Sequence, residues 1–215
     1  MYIAERTLTF INAVFKSYGP SNVKRLLWDK EYSGDKWGFA DNTVGDCVYP
    51  HLERYVVNGS ILDLGCGTGN TATELAAAAY RLYVGVDISE TALSKATRRT
   101  EESGRAGKNG FVCADFLTYV PTQQFSVILF RESMYHVPLR KVKATLDHYS
   151  KYLTNSGVFI VRMNTSDGKG GNSKYRPTAM VGVMETEFDV VEKCQYSDSG
   201  ATVIVFRPRC PSRKY

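Results

Sequence analysis

The chain has 215 residues, a length that suits one compact domain with a short extension. Its composition, with 43% hydrophobic, 23% charged and 12% aromatic residues, is ordinary for a globular protein and argues against collagen, a coiled coil or a disordered chain. The net charge of +5 permits acidic substrates or nucleic acid as partners without requiring either.

Residues 1–58 differ in character from the rest of the chain. They contain both tryptophans and the turn-rich stretch EYSGDKWGFADN. We expect two or three short helices with a loop around 32–43, and a further helix over about 44–57 that Pro50 bends or restarts. This segment, 1–58, is predicted to be a helical lid on a core formed by residues 59–215.

From residue 60 the pattern of strand, loop and helix repeats. Ser89 is the predicted N-cap of the second helix. The predicted strands are 60–65, 82–88, 111–116, 125–130 and 157–163, and the predicted helices are 71–81, 89–100 and 139–153.

Continuously apolar strands that alternate with helices indicate a parallel sheet covered on both faces. The last two strand-like runs, FDVVEKCQYS and ATVIVFRP, are joined only by the turn DSG and therefore predict an antiparallel hairpin. The predicted fold class is α/β: a Rossmann-like, doubly wound, seven-stranded sheet that is mostly parallel and ends in a C-terminal antiparallel hairpin, with helices on both faces.

The cysteines and the N-terminus carry no sign of secretion. Five cysteines are scattered without a C-x-x-C pair or zinc-like spacing, which is typical of reduced cytosolic thiols. No cleavage pattern follows the N-terminus, and no apolar run approaches the roughly 18 residues that a spanning helix needs. We expect a cytoplasmic protein without membrane insertion and without a metal site.

The segment ILDLGCGTGN carries Gly65, Gly67 and Gly69 between a predicted strand and a predicted helix. Glycines there allow a tight turn and close approach of a ligand to the backbone. A dinucleotide fingerprint places its third glycine at position 70, which is Asn70 here, so a nicotinamide dehydrogenase is disfavoured.

Three acidic residues near the predicted strands are also candidate ligand contacts. Asp63 precedes the glycines and suits a cationic ligand better than a pyrophosphate. Asp87 ends the second predicted strand, where a carboxylate grips a ribose diol. Asp115 ends the third predicted strand, with Phe116 beside it to cover a base.

The motifs ILDLGCGTGN, VGVDIS, CADF and FSVILFRESMYHV, in this order, resemble those of the class I S-adenosylmethionine-dependent methyltransferases over residues 60–165. The resemblance implies S-adenosylmethionine as cofactor and S-adenosylhomocysteine as product. The implied cofactor contacts are Asp63 near the amino group; Gly65, Cys66, Gly67 and Gly69 under the methionine part; Asp87 on the ribose; Ile88 on adenine; Asp115 and Phe116 at the adenine amine; and Phe130, Arg131 and Trp37.

The segment FRESMYHVPLR is expected to line the junction of cofactor and acceptor. His136 is the candidate base, because histidine ordinarily titrates near neutral pH, although a lone histidine in such a turn is often structural. Glu132 is placed to orient the acceptor or the amino group of the cofactor, and Tyr135 to line the pocket. Arg131 is expected to pair with an acidic substrate or with Glu132.

The remaining candidates are aromatic residues and histidines. Trp37, Phe39 and Tyr32 are predicted either to form a lid that excludes water or to pack the N-terminal helices on the sheet. His51 and His148 are expected at the surface.

The stretch WDKEYSGDKWGF, together with FRESMYHV, is similar to small-molecule methyltransferases of polysaccharide, lipo-oligosaccharide and natural-product pathways, the nodulation-type N-methyltransferases among them. The expected acceptor is an oxygen or nitrogen of a sugar, an amine or a natural-product intermediate, with a modest bias toward anionic molecules.

Several alternatives stay open: an RNA or protein methyltransferase, a non-catalytic S-adenosylmethionine-binding partner subunit and, as a minor option, an aminopropyl transferase. The sequence FRES stands where base-modifying DNA methyltransferases and glutamine methyltransferases carry (N/D)PP(Y/F), which argues against both. Nucleic acid is an unexpected partner, because the basic C-terminal stretch has no accompanying aromatic stacking set. A monomer and a homodimer are equally compatible with the sequence.

Overall fold

Seven strands form one sheet with the order β3-β2-β1-β4-β5-β7-β6. The structure is a computed structural model that describes residues 11–12, 14–34, 43–166 and 176–209. The strands are β1 Gly59–Leu64, β2 Tyr80–Asp87, β3 Asn109–Cys113, β4 Phe125–Arg131, β5 Leu153–Asn164, β6 Asp189–Tyr196 and β7 Ala201–Arg207. The helices are α1 Ser21–Ser33, α2 Tyr49–Val56, α3 Asn70–Glu74, α4 Glu90–Glu102, α5 Val142–Ser150 and α6 Pro177–Glu187.

Strands β1 to β5 pair in parallel, whereas β7 pairs antiparallel with both β5 and β6. This arrangement confirms the predicted fold class, including the terminal hairpin. The chain runs outward from β1 through β2 to β3 and then returns to β4 on the other side of β1. Such a reversal leaves a crevice at the carboxyl ends of the strands, where ligands bind in open α/β sheets.

Both faces of the sheet are buried, which explains the continuously apolar strands. In β1, Leu62 and Leu64 belong to the hydrophobic cluster on one face, and Ile61 belongs to the cluster on the other. Alternate residues of a strand point to opposite faces, so a strand covered on both sides needs apolar residues at successive positions.

The predicted helix over 71–81 is wrong, because α3 ends at Glu74. The carbonyl of Ala72 accepts hydrogen bonds from the side chains of Tyr80, Arg105 and Asn109, at 3.1, 3.1 and 2.9 Å. Arg105 also donates to the carbonyl of Leu75 at 2.6 Å. Side-chain donors from distant parts of the chain thus take the carbonyls that a longer helix would have used.

Two other helices differ from expectation. Helix α2 begins one residue before Pro50, which stands in the first turn, so the proline starts this helix instead of bending it. Helix α6 was not among the predicted helices, and it buries Met180, Val181 and Met184. Among the described residues, no helix combines the length and apolar character needed to cross a bilayer. The domain boundary at residue 58 stays a prediction.

Candidate functional site

The loop between β1 and α3 has the backbone conformation that only glycine adopts easily. Gly65, Gly67 and Gly69 have φ values of 80°, 54° and 77°. A Cβ atom added to Gly65 would lie 2.5 Å from Cβ of Ser133, and one added to Gly69 would lie 2.8 Å from Cβ of Ala96. The loop is therefore pressed between neighbouring elements, which leave no room for a side chain at Gly65 or Gly69.

Asp87 ends β2 beside this loop and is held by two backbone amides. Its Oδ2 accepts from the amide of Gly67 at 2.9 Å, and its Oδ1 accepts from the amide of Ser89 at 2.9 Å. Burial raises the pKa of this carboxyl, and the two amides act in the opposite direction. Because a carboxylate offers about four acceptor positions, Asp87 can bind two further donors in this fixed orientation.

Asp63 in β1 is 1% exposed and accepts a hydrogen bond from the Tyr83 hydroxyl at 2.7 Å through Oδ2. Its Oδ1 has no hydrogen-bond partner among the described residues. Burial raises its pKa to about 6. The carboxyl group is thus a buried acceptor that a cation can stabilise in its ionised form.

The other predicted cofactor residues near the loop differ in where their side chains lie. A Cβ on Gly65 would lie 3.6 Å from the Phe116 ring, so this side chain borders the turn. The Cys66 side chain packs on Gly85 of β2, and its burial raises the thiol pKa. Phe130 is fully buried, with its ring 6.0 Å from that of Phe116. Phe130 thus supports Phe116 from the core, and its contact with the cofactor stays a prediction.

Helix α1 covers this edge of the sheet with one face, formed by Lys24, Trp28 and Tyr32 at intervals of four residues. Lys24 is 6% exposed, and its Nζ lies 2.8 Å from Oδ2 of Asp115. The Trp28 ring packs edge-on against His136, with centroids 4.8 Å apart. The Tyr32 hydroxyl would lie 2.9 Å from a Cβ on Gly67.

The structure thus places Tyr32 of the predicted lid against the glycine loop. Trp37 and Phe39 lie outside the described residues.

A second set of contacts fixes α1 on the N-terminus of α4. Asp29 accepts from the Ser89 hydroxyl at 2.7 Å and from the amide of Thr91 at 3.1 Å. Ser89 is the N-cap of α4, as predicted, since its hydroxyl accepts from the amide of Ala92. A carboxylate at a helix N-terminus is favoured by the free amides and the helix dipole. Sequence analysis missed Asp29 and Lys24, although the four-residue spacing of Lys24, Trp28 and Tyr32 was visible.

Arg131 does not pair with Glu132, contrary to one of the expectations. Its Nη2 lies 3.1 Å from Oδ2 of Asp46, while Glu132 pairs with Arg162. Arg131 and Arg162 are register partners on β4 and β5, so two like charges stand side by side. Asp46, with Oδ1 3.4 Å from Nε of Arg162, bridges them. Burial acts to raise the Asp46 pKa, but the two arginines outweigh it and lower the pKa.

His136 lies half-buried in a short 3-10 turn, Met134–His136, that follows β4. The neighbouring Tyr135 is buried, and its hydroxyl is hydrogen-bonded to the backbone of Asn164 at the end of β5. Tyr135 therefore ties two strand ends together instead of lining a pocket. His136 contacts the α1 face through Trp28.

The other two histidines are not surface groups. His51 is 4% exposed, and its Nε2 lies 2.8 Å from the Tyr196 hydroxyl. His148 is half-buried and its Nε2 lies 3.0 Å from the carbonyl of Tyr119. The expectation failed for His51 because α2 buries it against the C-terminal hairpin, a contact that joins residues 145 positions apart.

Comparison with known proteins supports the meaning of this geometry. Residues 61–157 match a family described as a methyltransferase domain. A probable thiol methyltransferase 2 of Arabidopsis thaliana is 37% identical over 105 residues, which cover 47% of this chain and 45% of that protein. The 27-O-demethylrifamycin SV methyltransferase of Amycolatopsis mediterranei is 32% identical over 137 residues, covering 60% of this chain and 50% of that protein. The chain spans half or less of the length of the curated relatives it matches.

Solved structures share the fold. The N-methyltransferase NodS of Bradyrhizobium japonicum WM9, in complex with S-adenosylhomocysteine, superposes with a TM-score of 0.67 at 18% identity, covering 86% of this chain and 98% of that one. The glycopeptide N-methyltransferase MtfA, complexed with sinefungin, has a TM-score of 0.64 at 12% identity, covering 79% and 88%. At these identities the likeness concerns the fold.

Residues 61–157, which carry the glycine loop and Asp87, match the methyltransferase-domain family, and the chain shares its fold with solved methyltransferases. The resemblance drawn from the sequence motifs is thereby confirmed.

Proposed function

We propose that this protein transfers the methyl group of S-adenosylmethionine to an oxygen or nitrogen of a small-molecule acceptor. The observation that carries the proposal is the glycine-rich turn at residues 65–69, whose three glycines have positive φ, next to the oriented carboxylate of Asp87. Relatives named as a rifamycin methyltransferase and a nodulation-type N-methyltransferase support a small acceptor.

The residues present fit the cofactor. A carboxylate with two further acceptor positions suits the two hydroxyls of a ribose, and this is the role proposed for Asp87. The buried Oδ1 of Asp63 suits an ammonium group. Asp115 and Phe116 are proposed to receive the adenine, in which case Lys24 and the adenine amine compete for the Asp115 carboxylate.

Bound S-adenosylmethionine supplies an electrophilic methyl group on a sulfonium. In an in-line displacement the protein contributes mainly by positioning the two reactants and by excluding water. Helix α1 is proposed to provide both, since Trp28 and Tyr32 cover the edge between His136 and the glycine loop. His136 is proposed to accept the proton of an acceptor that arrives protonated.

Labelled cofactor tests this function directly. Label from the methyl group should transfer to members of a panel of amines, sugars and phenols, with release of S-adenosylhomocysteine. Parallel incubations with bulk RNA and with a peptide mixture should remain unlabelled. Label recovered only in RNA or peptide would contradict the small-molecule assignment.

Replacing His136 by alanine should lower kcat by roughly 10²- to 10⁴-fold for an acceptor that must lose a proton. The matched control is His148→Ala, which removes a half-buried histidine from α5 and should leave kcat unchanged. The pH–rate profile distinguishes the base from a packing role, because loss of the base also removes the limb near neutral pH. Unaltered turnover of His136→Ala across about pH 6 to 9 would show that His136 is not the base.

The affinity for S-adenosylhomocysteine should fall at acid pH through Asp63. The pKa of this carboxyl is raised to about 6 by burial, so it is ionised at neutral pH and neutral at about pH 5. Calorimetric titration should show binding roughly tenfold weaker at about pH 5 than at neutral pH. The stability of the ligand-free protein should change in the opposite sense, because ionising a buried carboxyl costs stability as the pH rises from about 4 to about 6. Asp63→Asn should flatten both profiles, and an unchanged pair of profiles would refute the role of Asp63.

A further inference from the structure

Three side chains of the types that can bind metal ions lie together, away from the proposed cofactor site. His51 of α2 and Glu192 and Cys194 of β6 place one ligand atom each within 4.8 Å of one another. Within the described ranges, no other group of three or more His, Cys, Asp or Glu residues has this proximity. Strand β6 is the edge strand, and three strands separate it from β1.

The two distances from Glu192 to the other donor atoms match those around a tetrahedral ion. Oε1 of Glu192 lies 3.3 Å from Nδ1 of His51 and 3.6 Å from Sγ of Cys194. Zinc binds nitrogen and carboxylate oxygen at about 2.1 Å and thiolate sulfur at about 2.3 Å. At tetrahedral angles these bonds separate nitrogen from oxygen by about 3.4 Å and sulfur from oxygen by about 3.6 Å. Glu192 therefore already stands at coordination spacing from each of the other two donors, and all three ligand atoms lie within 4.8 Å of one another.

The Tyr196 hydroxyl fixes the orientation of the His51 ring, as an outer hydrogen bond does for a metal-bound histidine. Its Nε2 is 2.8 Å from the Tyr196 hydroxyl, and its buried Nδ1 makes no hydrogen bond among the described residues. When Nε2–H donates to Tyr196, the lone pair of Nδ1 faces an oxygen of Glu192. In this tautomer a cation between the two acceptors relieves their repulsion; in the other tautomer Nδ1–H faces the carboxylate oxygen at 3.3 Å instead. A second ring nitrogen fixed by a hydrogen bond is the usual outer contact of a metal-bound histidine.

Glu192 is held in place from its other side. The Tyr55 hydroxyl donates to Oε2 at 3.0 Å, and Nη1 of Arg54 lies 3.1 Å from both oxygens. Arg54 is 63% exposed, so its contribution is screened and it can swing into solvent when a cation arrives. Burial raises the pKa of Cys194, and the thiol must therefore release a proton to the solvent when it becomes a ligand.

We propose that His51, Glu192 and Cys194 form a binding site for one zinc-type divalent cation that fastens α2 to the C-terminal hairpin. A donor set of nitrogen, oxygen and sulfur suits Zn²⁺ better than the hard cations Ca²⁺ and Mg²⁺. Glu192 is 19% exposed, which leaves the fourth coordination position to water. The site could not be recognised from a short motif such as C-x-x-C, because its ligands come from segments about 140 residues apart in sequence.

Cobalt titration of metal-stripped protein without a histidine tag tests the site. We expect a sulfur-to-cobalt charge-transfer band that saturates at one equivalent of Co²⁺ and is displaced by Zn²⁺. Cys194→Ser should abolish the band, whereas Cys113→Ser, which removes the exposed thiol of β3, should leave it intact. Tyr196→Phe should weaken metal binding roughly 10- to 100-fold, because it only loosens His51.

Folding is checked separately by circular dichroism and by binding of S-adenosylhomocysteine, which these variants should retain. Absence of a stoichiometric band in the parent protein, or the same band in Cys194→Ser, would overturn the proposal. Neither result would bear on methyl transfer, since the site lies outside the cofactor crevice.

Discussion

Asp87→Ala should abolish the rise in Tm that S-adenosylhomocysteine gives the parent protein. On the proposed role of Asp87, the substitution removes two hydrogen bonds between a charged carboxylate and the ribose, each worth about 1.5 to 3 kcal/mol. Their loss corresponds to a decrease in affinity of at least roughly 100-fold. It also deprives the amides of Gly67 and Ser89 of their acceptor, so the loop itself loses its orientation. Thermal shift and calorimetric titration measure the effect, because a ligand that binds only the native state stabilises it by mass action.

Asp198→Ala is the control for this change. Asp198 is an exposed carboxylate near the turn of the hairpin, and its removal should leave the ligand-induced shift intact. The Tm of each ligand-free variant separates lost binding from lost folding. A full ligand-induced shift in Asp87→Ala would refute the assignment of Asp87 to the ribose.

Gly65→Ala should destabilise the protein and eliminate cofactor binding. An alanine at φ 80° costs about 1 to 2 kcal/mol for the left-handed conformation alone. Its Cβ would in addition lie 2.5 Å from Cβ of Ser133. The Ser133 hydroxyl donates a hydrogen bond to the carbonyl of Leu64, so Ser133 cannot easily move away. Overpacking of this kind adds about 1 to 3 kcal/mol. Urea denaturation and titration with S-adenosylhomocysteine measure the two effects.

Gly104→Ala isolates the conformational part of that cost. Gly104 has φ 68°, and nothing lies within 4 Å of the added Cβ. This variant should lose only about 1 to 2 kcal/mol of stability and should bind S-adenosylhomocysteine normally. Equal stability and equal binding in the Gly65 and Gly104 variants would contradict the close approach of the loop to a ligand.

The parts of the fold that the sequence predicted are those that local chemistry determines. Strand-like runs identified all seven strands; β1, β4 and β7 were recognisable as apolar runs because a strand buried on both faces has few polar residues. Ser89 was recognisable as an N-cap from its position before a helical pattern. The strand after α4 ends at Cys113, earlier than predicted, which leaves Asp115 and Phe116 in the following turn at the edge of the sheet.

The parts that the sequence did not predict depend on contacts between distant residues. Helix α3 stops early because Arg105 and Asn109 bind its carbonyls. The partner of Arg131 could not be read from its neighbours, since the strand register brings Arg162 beside it and Asp46 between them. The engagement of Asp115 by Lys24 likewise joins residues 91 positions apart.

Helix α1 shows which residues of the N-terminal segment contact the crevice. The aromatic residues predicted to form a lid were grouped around Trp37, but the described contacts with the crevice come from Lys24, Trp28 and Tyr32. These three residues follow one helix face, so a rigid helix covers the edge. The identity of the acceptor should therefore respond to substitutions at Trp28, which touches His136, more than to changes elsewhere in α1.

We expect the glycine loop to receive S-adenosylmethionine and not a dinucleotide. Asn70, which replaces the third glycine of a dinucleotide loop, is buried and bonded to Arg99 of α4 and to Thr43. Calorimetric titration with S-adenosylhomocysteine, followed by competition with NAD⁺, tests this claim most directly. We predict saturable binding of one molecule of S-adenosylhomocysteine per chain, undisturbed by NAD⁺. Absence of binding, or displacement of the ligand by NAD⁺, would contradict it.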